Sequence, residues 1–395
     1  MATLPRRVLV YSPSQALLCR SCRLQTRRFA SSAAPPKPPT SGLAPLLSRR
    51  LLAVSGPDAA KFLHGIVTSS LVSKDGTPRT DPFYSGFLNA TGRVVNDVFI
   101  YPHQHNVGDA TDGGYLIEVD AQQLASLAKY VRRYKLRANI ALRALEPEQA
   151  SVWHAWDDSG KDAAVPSSNS SRIVLQDPRA PGLGYRIIQL NQTQPELDLE
   201  QATEDAYTIR RYLHGVAEGQ DEILAGALPL ESNMDVMNGI DFHKGCYVGQ
   251  ELTIRTRHRG VVRKRILPCV IYEPDKAAPQ RLTYETQAES PETITADMIP
   301  IETSIGRFEK KGRTTGKWLK GVGNIGLGLC RLETMTDIVL PGEQASPSQP
   351  LDGEFKIEWG DEENKSTVKV KAFVPDWLRT ELDLAANRSS NGKAS

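Results

Sequence analysis

Apolar and polar positions recur along this chain with two periods, and each period marks out its own elements. Arg50-Leu51-Leu52-Ala53-Val54 predicts a short apolar strand, and Ser55-Gly56-Pro57-Asp58 a helix start with proline in the first turn. Phe62, Leu63, Ile66 and Val67 follow at helical spacing and predict a face turned to the core. Residues 83–88 and 94–101 read as a hairpin, turned by Asn89-Ala90-Thr91-Gly92-Arg93, where Gly92 can take positive φ. After the strand 115–119, Asp120 caps a helix with Leu124, Leu127, Ala128 and Val131 on one face. Strands at 173–175 and 185–188 adjoin a polar insert, 157–171, and a helix at about 205–216 leads on. This β-helix-β economy predicts an α+β fold with ferredoxin-like units, which by itself assigns no function.

From Arg265 onward short strands and glycine-rich turns replace helices, interrupted by a polar loop near 274–300. Ser304-Ile305-Gly306-Arg307, Gly326-Leu327-Gly328-Leu329 and the alternation of Val368, Val370, Ala372 and Val374 predict a small antiparallel β-barrel. The boundaries expected are 41–262 for the α+β region, 263–380 for the barrel and 381–395 for a disordered tail.

Residues 1–40 stand apart. Arg6, Arg7, Arg20, Arg23, Arg27 and Arg28 are spread among Leu, Val, Ser and Ala, and no acid precedes Asp58. This is the composition of a mitochondrial presequence, with a proline-rich lead-in at 33–41. Removing those six arginines takes the formal charge from +2 to −4. No apolar run approaches the ~18 residues that span a bilayer, so no membrane association is expected.

The presequence also holds Cys19 and Cys22, leaving Cys246, Cys269 and Cys330. Three cysteines make no disulfide framework and no self-contained zinc site. Cys269 and Cys330 fall in predicted strands and read as core residues. Cys246 differs, lying in Lys244-Gly245-Cys246-Tyr247-Val248-Gly249-Gln250-Glu251. The glycines leave its sulfur without bulky cover. A helix beginning at Gly249-Gln250, Lys244 and protonated His243 would all favour the thiolate, the form that attacks electrophiles or binds metal. The alternative is a turn cysteine filling a small apolar gap.

Asp97 is a carboxylate in an apolar strand and needs either an ion partner, Arg93 being nearby, or a ligand. His64 reads as a helix-edge histidine with a local partner, and His103 and His105 as solvated loop residues. Arg255, Arg257, His258, Arg259, Arg263, Lys264 and Arg265 form a basic stretch. No aromatics interleave and the processed chain is acidic, so nucleic acid is not the expected partner. A phosphate or polycarboxylate partner and a solvated face both remain open.

Gly239-Ile240-Asp241-Phe242-His243-Lys244-Gly245-Cys246-Tyr247-Val248-Gly249-Gln250-Glu251 resembles the signature of the folate-binding YgfZ-type proteins. These are relatives of the aminomethyltransferase (T-protein) of the glycine cleavage system, and weaker similarity runs from about residue 51 to 377. The resemblance implies a T-protein/YgfZ-like multidomain fold. For members with a presequence it implies a mitochondrial matrix iron–sulfur cluster assembly factor serving [4Fe–4S] enzymes of the aconitase and lipoate synthase types. Implied partners are A-type iron–sulfur scaffold proteins, with a cluster shared through Cys246.

Residues 89–97 are similar to the T-protein segment that ends in an aspartate beside folate, and Pro229-Leu230-Glu231 to a further element near that site. The resemblance thus implies tetrahydrofolate or a related folate held by Asp97, Arg93, Glu231, Lys244, Gln250 and Arg259. Arg93 replaces a glycine and Asn96 an acid usual in T-proteins, so the resemblance implies a folate pocket without aminomethyl transfer. The alternative is a folate-dependent one-carbon transferase. An RNA-binding module is a third reading, with salt-sensitive affinity as its mark.

Overall fold

The computed structural model describes residues 34–391 apart from 74, 104–113, 160–165, 192, 287–293, 310–313 and 341–352. Residues 1–33 and His105 therefore lie outside the described residues.

One sheet joins β2 (Arg49–Ser55), β3 (Phe83–Leu88), β4 (Val94–His103), β5 (Gly114–Asp120) and β6 (Ala141–Ala144) in the order β3-β4-β5-β2-β6. β5 and β6 each pair antiparallel with β2, so they run parallel to one another with β2 between them. The Leu124–Lys135 helix makes that crossover, burying Leu127, Ala128 and Val131. This split β-α-β unit is the ferredoxin-like feature that the periodicity predicts.

A second sheet, in the order β1-β7-β9-β8, comprises β1 (Ser41–Pro45), β7 (Ser151–Asp157), β8 (Arg172–Gln176) and β9 (Tyr185–Gln189). Successive side chains of a strand point to opposite faces, and the first sheet uses this to serve two cores. Leu52, Val54, Val98, Ile100, Ile117 and Val119 pack with the helices. Leu51, Ala53, Phe99, Tyr101 and Leu116 face the other way and share a core with Val152, Trp156 and Ile188 of the second sheet. Asp97 and Glu118, in step with Phe99 and Leu116, therefore project between the sheets.

The barrel closes in the order β10-β13-β12-β11-β14-β15, from β10 (Lys264–Tyr272), β11 (Ser304–Arg307), β12 (Gly316–Val322), β13 (Ile325–Arg331), β14 (Phe355–Trp359) and β15 (Ser366–Ala372). All its pairings are antiparallel. Cys269 and Cys330 are fully buried inside it, 3.8 Å apart at sulfur.

Two stretches expected to lie outside the fold make contacts with it. Residues 35–40 are not a lead-in detached from the fold. Trp156 Nε1 donates to Pro39 O at 3.0 Å, Asp158 N to Thr40 O at 2.8 Å, and Tyr284 OH to Pro35 O. These are main-chain acceptors, so they leave no mark in side-chain composition. Residues 381–391 of the expected tail continue the helix Asp376–Asn391, which is anchored where Trp377 Nε1 donates to His214 O at 3.0 Å and Leu378 is buried. Among the described residues no helix is long and apolar enough to cross a membrane.

Candidate functional site

The Cys246 loop is fastened to the segment that follows the Ala59–His64 helix. Asp241 N donates to Thr68 O at 3.0 Å, Thr68 Oγ1 to Gly239 O at 2.5 Å, and Val248 N to Gly65 O at 3.2 Å. The strongest tie is Lys244, whose Nζ donates to the main-chain oxygens of His64, Val67 and Ser69 at 2.6, 2.8 and 2.9 Å. Burial pulls the Lys244 ammonium down toward about 7, and Asp241 opposes this. His64 finds its local partner, Leu71 N, which donates to Nδ1 at 3.2 Å.

Between these anchors Cys246 is exposed, and nothing lies within 4 Å of where a Cβ on Gly245 would stand. Gly249 (φ +81°) then begins the Gln250–Arg259 helix, and a Cβ there would stand 2.3 Å from Asn89 O. Glycine is required at that junction on both counts. The outcome is an exposed thiol at the tip of a tethered loop, one turn before a helix. Among the described residues no three His, Cys, Asp or Glu side chains are grouped to hold a metal ion.

Asp97 lies elsewhere, in a polar layer between the two sheets. Arg49 Nε meets Glu118 Oε1 at 2.8 Å, Arg186 bonds Glu118 and lies 2.8 Å from Glu218, and Arg179 meets Glu218 at 2.8 Å. Burial opposes ionisation of Glu118 and Glu218, but the arginines outweigh it and hold both carboxyls below the usual range. Asp97 goes the other way. Burial pushes its carboxyl up, with Arg49 only partly offsetting the effect. Its Oδ1 accepts from Gly219 N at 3.0 Å, while Oδ2 has no partner among the described residues. Both Nη atoms of Arg49 and the hydroxyl of Tyr84, which share the electrostatic environment of Asp97, are also unpartnered. One acceptor and two sets of donors, buried and unsatisfied together, fit the hydrogen-bonding edge of a heteroaromatic ring such as a pterin.

Of the other residues that the resemblance assigns to folate, Arg93, Lys244, Gln250 and Glu231 make their described contacts away from Asp97. Arg93 does not pair with it, donating instead to Gly226 O at 3.2 Å. Lys244 is committed to its three carbonyl oxygens, which also removes it as a counter-charge devoted to the thiolate. Gln250 Oε1 accepts from Tyr247 N at 3.2 Å and caps the loop. Glu231 lines a separate cleft with Lys264. Arg259 closes its helix, and its side chain lies outside the described residues.

The basic stretch is not one surface either. Arg257 sits 4.9 Å above the Phe242 ring, and Arg265 is buried in a bidentate pair with Asp235 at 2.8 and 2.9 Å. His103 is buried at the end of β4 rather than solvated.

The comparisons follow the same architecture. Residues 263–380 match the family described as CAF17, C-terminal beta-barrel domain. Aminomethyltransferase T of the glycine cleavage system from Bartonella henselae has the same fold. It superimposes with a TM-score of 0.57 over 86% of this chain and 87% of that one, at 12% identity. Two relatives bear the name iron-sulfur cluster assembly factor IBA57 homolog, mitochondrial. That of Pyricularia oryzae is 53% identical and covers 94% of each chain. That of Neurospora crassa is 45% identical over 96% of this chain and 91% of its own. The fold is thus that of the aminomethyltransferases. Within it, the chain belongs to the IBA57 family of mitochondrial iron-sulfur cluster assembly factors.

Proposed function

We propose that this protein acts in the mitochondrial matrix in the maturation of [4Fe–4S] proteins, of the aconitase and lipoate synthase types, together with an A-type scaffold protein. The observation that supports this most is the exposure of Cys246 on a loop held by Lys244, while the two other described cysteines are sealed in the barrel. A cluster iron is held by thiolates. One accessible thiolate here could complete a cluster whose remaining ligands come from the scaffold, and the loop would present it in a fixed direction.

We further propose that Asp97, Arg49 and Tyr84 hold the ring of a tetrahydrofolate or related folate between the sheets. When bound, such a folate would supply a one-carbon acceptor, which is the basis of the transferase alternative. The protein's own part is to offer Oδ2 of Asp97 as acceptor and the Arg49 guanidinium as donor, and to exclude water.

Anaerobic reconstitution of the protein with a candidate A-type scaffold tests the reading. A [4Fe–4S] absorption and Mössbauer signature that needs both proteins and Cys246 supports it. Turnover of an aminomethyl donor by the purified protein would favour the transferase instead.

A further inference from the structure

A second site flanks the helix that follows Cys246. The loop at 228–231, the Gln250–Arg259 helix and the start of β10 enclose a cleft of about 260 Å³. Leu228, Leu230, Leu252, Val261 and Val262 give it an apolar floor. Two opposite charges line it, the Glu231 carboxylate and the Lys264 ammonium. Neither is in a hydrogen bond or close ion pair with any described residue, and they act on each other only through space. Thr253 also lines the cleft. It is 1% exposed, and its hydroxyl lies beside the Tyr247 phenol.

These features restrict the occupant. A neutral ligand would leave both wall charges unpaired, and a simple cation or anion would leave one. Burial already holds the Glu231 carboxyl above its usual range, with Lys264 and Arg93 opposing, so a cation seated there is favoured. On the rim, Arg331 and Arg263 contact Glu333 at 3.2 and 3.0 Å, which leaves Lys264 to meet an anion. Ligand sites for larger molecules enclose roughly 300–1,000 Å³, so a pterin with its tail overfills this cleft while one amino acid fits.

We propose that this cleft binds a free aliphatic α-amino acid, with its ammonium on Glu231, its carboxylate on Lys264 and its side chain on the apolar floor. The site is independent of Cys246, so its failure would leave the cluster-assembly reading untouched.

The test is calorimetry on the full processed chain with leucine, leucinamide, which lacks the carboxylate, and 4-methylpentanoate, which lacks the ammonium. Leucine should bind saturably, and each analogue at least about tenfold more weakly, because each loses one charge-assisted contact. Glu231→Gln should abolish the preference for leucine over 4-methylpentanoate, and Lys264→Met the preference over leucinamide. These are ratios within one variant, so a general loss of fold cannot mimic them. Three results would overturn the proposal: no saturable leucine binding up to about 10 mM, preferences unchanged in the variants, or binding of tetrahydrofolate that Glu231→Gln removes while leucine is silent.

Discussion

The ammonium of Lys244 lies 2.6 Å from the main-chain oxygen of His64, a residue 180 positions earlier in the chain. With Val67 and Ser69 as its other acceptors, this contact fixes the base of the Cys246 loop. A compact ammonium with three donors suits three convergent carbonyls, whereas a planar guanidinium does not.

Lys244→Met keeps the stem and leaves those carbonyl oxygens without their donor. Stability should fall by about 1–3 kcal/mol in denaturant titrations. The Val248 amide, bonded to Gly65 O, should exchange its hydrogen faster. Lys244→Arg should fail to restore either property. Unchanged exchange at Val248 would show that the clamp does not hold the loop.

Asp97 gives a pH dependence with a definite sign. Its folded pKa is raised above 3.8, so it favours folding at low pH and that contribution is lost as pH rises through the folded value. It is a buried carboxyl with one oxygen unpartnered among the described residues. Asp97→Asn should therefore gain stability relative to the parent as pH rises, while folate binding weakens. Thermal melts at pH 5 and pH 7 with parallel folate calorimetry check both halves. A destabilised variant with unaltered folate affinity would remove Asp97 from the site.

His154 acts in the opposite direction. Burial between the sheets lowers its pKa from 6.5 to about 3, and its Nε2 lies 3.0 Å from Leu183 O. The unfolded chain thus binds a proton there that the folded one refuses, and stability is lost as pH falls from about 6.5 toward 3. His154→Phe should flatten acid denaturation over that window. A parent and variant with identical acid limbs would assign the loss to other groups.

The contacts of residues 35–40 predict that a chain beginning at Ser41 is less stable than one beginning at Ala34. Loss of the Pro39 acceptor leaves the buried Trp156 indole N–H unpaired, which lowers the melting midpoint by about 2–6 °C. Equal midpoints would show that the segment contributes nothing.

Much of the fold was legible in local pattern. Asn89 to Arg93 announce a hairpin turn, and Gly92 does take φ +78°. Gly249 marks a helix start, and the alternation around Val368 and Val370 marks a barrel strand. The polar layer between the sheets was missed, although part of its signal was present. Glu118 lies within Tyr-Leu-Ile-Glu-Val as Asp97 lies within its own apolar strand, and the same argument from buried charge applied to both. Arg49, Arg179 and Arg186 gave no such sign, because an arginine near a strand end or in a turn reads as solvated until the opposing sheet is in place. Lys244 was visible as a charge beside a cysteine. Its actual role depends on carbonyls from a segment far away in sequence, which no local pattern reports.

The central claim is that Cys246 serves iron–sulfur cluster assembly while Cys269 and Cys330 are packing. Cys246→Ser keeps the shape and exchanges a soft sulfur ligand for a hydroxyl. The most direct measurement is aconitase activity in cells depleted of the native protein and supplied with either form at equal abundance. The parent chain should restore activity and Cys246→Ser should not, while the purified variant melts like the parent and loses only the fast-alkylating thiol. Full restoration of aconitase by Cys246→Ser would contradict the account and leave the loop a structural turn.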